Sequence, residues 1–112
     1  DQPLLKPLID IPRMAHKAHN MLGRSLDAFL SRDAEAARQI CMEDDEVDRL
    51  WDQVYRELVA FMIQDPTTVE RATYLIWVGH NLERIGDRVT NICERVVYAV
   101  TGKMEEIGAS KY

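Results

Sequence analysis

Apolar residues recur every three or four positions along three stretches of the chain, and no stretch alternates. That spacing predicts three helices and no strands. In the first, Ile11, Met14, Ala18, Met21, Leu22, Ser25, Leu26 and Phe29 share one face. Asp10 reads as its N-cap with Pro12 in the first turn, and it ends near Leu30. In the second, from about 34 to 64, the stripe is Ile40, Val47, Leu50, Trp51, Val54, Leu58, Phe61 and Met62. In the third, from 66 to about 100, it is Ala72, Leu75, Val78, Leu82, Ile85, Val89, Ile92, Cys93, Val96 and Val100.

The punctuation agrees with the stripes. Ser31-Arg32-Asp33 is a short polar break in which Asp33 can cap the second helix. Asp65-Pro66 is the sharpest break, because proline cannot continue a helix but suits the first position of the next. Gly102 is placed to close the third helix as C′. Two tight connections between long helices force an all-α, antiparallel up-down-up three-helix bundle with spectrin-like packing. The longest helix should span on the order of 45–50 Å. Residues 1–9, with two prolines, read as a lead-in strap or linker, 10–102 as the three-helix domain, and 103–112 as a flexible tail.

At 112 residues the chain is one domain's worth and can bury a core without staples. A net charge of −5 argues against nucleic acid, which needs a basic face. No apolar run approaches the ~20 residues of a membrane span. Cys41 and Cys93 fall within helices without CxxC spacing, and read as reduced, mostly buried thiols of a cytoplasmic protein. The chain starts at Asp1 rather than Met, which points to processing or to a piece of something longer.

The charge pattern then adds chemistry. Asp44 and Asp48 stand four apart on the second helix, Glu83 and Asp87 four apart on the third. Like charges at that spacing share a face and repel. Asp44 points within roughly 20° of Trp51 and Leu58, towards the core. A buried carboxylate is costly unless paired, hydrogen-bonded or bound to metal. With Leu82 as the core direction, Glu83, Asp87 and Glu94 lie together at roughly 100–140°, and His80 lies just beyond. Arg84, Arg88 and Arg95 occupy the opposite flank. Two acidic pairs on adjacent helices would wall a patch for a hard cation; solvated acidic faces are the ordinary alternative. Gly79 and Gly86, each costing about 1 kcal/mol inside a helix, predict close approach beside the acids, by a packed helix before a ligand. His16 and His19 stand i, i+3 on the first helix, and Arg13, Lys17 and Arg24 form a basic stripe there. The chain has no nucleophile–base constellation, no Gly-rich phosphate loop and no HExxH.

The segment NLERIGDRVTNICE at 81–94 resembles the signature of the PhoU family, regulators of bacterial phosphate uptake. The similarity extends through DDEVDRL at 44–50, IQDPTTVERATYL at 63–75 and VVYAVTG at 96–102, so it covers most of 10–102. The resemblance implies that the family's acidic motif falls on Asp44, Asp48, Glu83 and Asp87, with a metal ion there: iron first, manganese or magnesium next. It implies one three-helix repeat of two, the C-terminal one, with a homodimer as a way to replace the other. It implies a cytoplasmic, non-enzymatic adaptor between the ATPase of a phosphate ABC transporter and a sensor histidine kinase, repressing phosphate-starvation genes. Two rivals stand beside it. A ferritin-like di-metal carboxylate protein is disfavoured because the chain has no Glu-x-x-His. A plain helical interaction module would leave the acids solvated.

Overall fold

The computed structural model describes residues 5–102 and places them in three helices: α1 (Leu5–Ser31), α2 (Ala34–Gln64) and α3 (Val69–Thr101). A 3-10 turn, Pro66–Thr68, joins α2 to α3. The helices pack pairwise into an up-down-up bundle 53 × 20 × 16 Å across. At 1.5 Å per residue α3 alone accounts for the long dimension, about 50 Å.

Local chemistry fixes the joints. At the first, Arg32 takes a left-handed φ of 57°, which disfavours a side chain. Its guanidinium donates to the Ala99 carbonyl at 3.0 Å, satisfying one of the last carbonyls of α3. The Asp33 side chain accepts from Ala36 N at 3.0 Å and so caps α2. At the second joint, Asp65 N–H closes α2 on Phe61 O at 2.9 Å, while Asp65 Oδ1 accepts from Thr67 N and Thr67 Oγ1. Gly102, at φ 75°, ends α3 by donating to Tyr98 O at 2.8 Å.

The start of α1 departs from expectation. The chain is already helical at Leu5, so residues 5–9 are not a strap and Asp10 is not an N-cap. Pro7 lies in the first described turn, where a missing N–H costs nothing, and it is buried. Pro12 sits inside the helix and forfeits one backbone bond. Burial of Ile11 and Met14 and the Lys6–Asp10 ion pair hold the helix through it. Residues 1–4 of the expected strap and the expected tail at 103–112 lie outside the described residues.

The core holds Met14, Met21, Ile40, Val54, Leu58, Val89, Val96 and Val97, with small residues between them. Four stripe positions face out instead: Leu26, Phe29, Ile85 and Val100. The buried axis of α3 runs along Gly79, Gly86, Val89, Thr90, Cys93 and Val97, rotated roughly 40° from Leu82 towards the acidic side. The reason is steric. A Cβ at Gly79 would overlap the Trp51 ring, and one at Gly86 would overlap Asp44 Oδ1. Glycine lets α2 press directly onto α3, so these two positions serve helix packing. Cys41 and Cys93 are both free thiols and both buried at this contact.

Candidate functional site

The tight α2–α3 seam gathers the acids named from sequence. Asp44 is 1 % exposed; its Oδ2 accepts from Thr90 Oγ1 at 3.2 Å, and its Oδ1 lies against Gly86. The inward aim read from the helical wheel is therefore real, and a hydrogen bond across the seam supports it. Asp48, Glu83 and Asp87 are half-buried at the rim. Asp48 and Glu83 line one surface cavity of about 270 Å³ with Trp51, Asp52, Tyr55, Ile76 and His80. Asp87 lies outside that cavity lining.

The electrostatics tie the group together. Burial, then the neighbouring Asp87 charge, holds the Glu83 carboxyl above the usual carboxylate range, and Asp44 and Asp52 add to it. Burial, then Asp44, does the same to Asp87. His80 opposes both shifts. The seam thus concentrates negative charge that is only partly relieved. Among the described residues, no three His, Cys, Asp or Glu side chains converge on a point that could hold a metal ion. The donor set fits a hard cation, since carboxylate oxygens with one imidazole suit iron, manganese or magnesium. Convergence of three of those donors is not preformed.

Two members escaped the sequence reading. His80, three residues before Glu83, lies just beyond the acids on the wheel and joins them at the seam. Asp52 continues the spacing of four begun by Asp44 and Asp48. Glu43, next to Asp44 in sequence, takes no part in this group. It accepts from Arg24 Nη1 at 2.8 Å and Nη2 at 2.6 Å, and Lys17 Nζ stands 3.0 Å away. The Arg24 hydrogen bonds chiefly bring its carboxyl down to about 2. The basic stripe of α1 is therefore paired within the chain: Lys17 and Arg24 clamp α1 to α2, and Arg13 faces Asp10 at 3.6 Å. His16 and His19 are both exposed and stand apart from the α2–α3 seam. Among the described residues, no helix is long and apolar enough to cross a membrane.

Residues 11–96 match the family profile described as PhoU domain. A protein named phosphate-specific transport system accessory protein PhoU homolog from Clostridium acetobutylicum is 39% identical over 98 residues, covering 88% of this chain and 45% of its own. Its namesake from Deinococcus radiodurans is 40% identical over 103 residues, covering 92% and 48%. PhoU homolog 2 from Thermotoga maritima is 40% identical over 103 residues, covering 92% and 44%. The chain spans about half the length of the curated relatives it matches. No solved structure gives a significant match.

Proposed function

The chain belongs to the PhoU family, and from that premise we propose that it is a helical regulatory module of a phosphate transport system, without catalytic activity of its own. It acts as an adaptor in the cytoplasm, between the transporter ATPase and the sensor histidine kinase of the phosphate-starvation response. The α2–α3 carboxylates are its metal-binding patch. The observation that carries the metal reading is the raised carboxyls of Glu83 and Asp87 beside buried Asp44. A divalent cation at the rim would offset repulsion that the protein alone leaves in place. Asp48, Glu83 and Asp87 would supply the oxygens, with small side-chain rotations and waters completing the shell. Asp44, set deeper, would stand behind them.

A second reading is favoured by the absence of three converging ligands among the described residues. In it the module docks its partners with the acids alone. One experiment separates them. Metal content of the purified chain is measured beside Glu83→Gln/Asp87→Asn, and both are assayed for repression of a phosphate-starvation reporter. The metal reading expects iron or manganese in the wild type, its loss in the variant, and weaker repression. A metal-free wild type that represses as well as any other supports the plain module.

A further inference from the structure

The outer ridge of α3 lines up three arginines that, like Arg49 and Arg71, form no ion pair among the described residues. Lys6, Arg13, Lys17, Arg24, Arg38 and Arg56 each face a carboxylate at ion-pair distance. Arg84, Arg88 and Arg95 are exposed and form no ion pair among the described residues. The chain carries 19 acids against 14 bases, so unpaired arginines on this ridge are not a consequence of too few partners. They arise because α3 keeps Glu83 and Asp87 on its other flank, at the α2 seam.

The ridge also carries exposed apolar surface. Trp77, Arg84, Arg88 and Arg95 follow a spacing of seven, four and seven, and lie within roughly 40° of one another on the wheel. They draw a line about 27 Å long. Trp77 and Tyr74 are each 63% exposed, and Ile85 is 39% exposed. At the head of the line Tyr74 and Leu8 line a surface cavity of about 520 Å³ with Glu70, Arg71 and Leu75. Arginine and aromatic residues together are the side chains that most often carry binding energy at protein interfaces.

We propose that this ridge is a docking surface for an acidic amphipathic helix of a partner protein. The partner's carboxylates meet Arg84, Arg88 and Arg95 in forked pairs, and its apolar residues cover Trp77, Tyr74 and Ile85. The straight 7-4-7 line matches the i, i+4, i+7 repeat of a helical ligand. Three arginines fall short of the four to eight basic residues that hold a protein on an anionic membrane. Net negative charge disfavours nucleic acid. The surface lies away from the carboxylate patch, so a partner here leaves the α2–α3 seam open. The proposal stands without the metal reading.

The test uses a fluorescein-labelled synthetic 18-residue helical peptide with glutamates spaced to meet the three arginines and leucines along the adjoining edge. Its control is the same composition shuffled to destroy the face. The wild-type chain should bind the designed peptide in a salt-sensitive way, with a blue shift of tryptophan emission that Trp77→Phe removes. Arg84→Glu/Arg88→Glu/Arg95→Glu should weaken binding by roughly tenfold or more while circular dichroism stays unchanged. Should the triple variant lose helicity, Arg88→Ala is used and should weaken binding severalfold. The proposal is overturned if the wild type ignores the peptide or if the shuffled control binds as well. It is equally overturned if the arginine variants bind undiminished, or if phosphatidylglycerol vesicles bind where the peptide does not.

Discussion

The α1–α2 seam neutralises its charges, and the α2–α3 seam accumulates them. On the first, Glu43 is held by Arg24 and Lys17, and Lys6 stands 2.8 Å from Asp10 and 3.4 Å from Glu57. On the second, Asp44 and Asp87 act on Glu83 and Asp44 acts on Asp87, with His80 opposing both shifts, while Asp52 adds to Glu83 from its own ion pair with Arg56. Both seams join the same helix to a neighbour, so the difference is not one of burial alone. The first is a structural clamp. The second obtains its cohesion from close glycine packing, and its raised Glu83 and Asp87 carboxyls are the ground for the proposed cation site.

The strongest way to break the comparison is to remove the glycine contact. Gly79→Val should destabilise the fold by about 2–3 kcal/mol, because the Trp51 ring occupies the space the new side chain needs. Chemical denaturation monitored by circular dichroism reads this directly. Next, Glu43→Gln should cost about 1–2 kcal/mol, since a charge-assisted forked pair at a half-buried position is lost. On the other seam the sign reverses. Asp87→Asn in metal-free buffer at neutral pH should leave stability unchanged or raise it by a few tenths of a kcal/mol, about what a removed like-charge neighbour returns.

The pH profile sharpens the same contrast. Glu83 and Asp87 hold protons more readily folded than unfolded. As pH falls from neutral through their raised folded range to the ordinary carboxylate range, they should add stability. Glu43 behaves oppositely. With a folded value of about 2 against an ordinary 4.5, its contribution is complete above about 4.5 and is lost as pH falls towards 2. Stability should therefore peak in mild acid. Glu83→Gln/Asp87→Asn should flatten the rise on the neutral side, and Glu43→Gln should flatten the fall on the acid side.

The joints of the fold were legible because their chemistry is local. Asp33, Asp65-Pro66 and Gly102 act through neighbours a few residues away, and each does what its type predicts. Asp44's inward aim was also legible, since Trp51 and Leu58 share its helix. What one helix cannot report is its partner. Glu43 stands next to Asp44 in sequence, and its pairing is invisible there because Arg24 and Lys17 lie on another helix. The phase of α3 is not legible from its large residues, which place the centre at Leu82. The centre is set by the small residues Gly79, Gly86 and Cys93, where α2 comes closest. His80 and Asp52 join the site from ordinary helical spacing, and gain meaning only once α2 and α3 are side by side.

The most direct test of the central claim is calorimetric melting of the metal-free chain with and without manganese(II), beside Glu83→Gln/Asp87→Asn. The account predicts that saturating metal raises the wild-type melting temperature, with about 2.7 kcal/mol gained at a hundredfold excess over Kd. It predicts no rise in the variant. A wild type whose melting temperature ignores manganese and iron, or a variant that gains as much as the wild type, would contradict it.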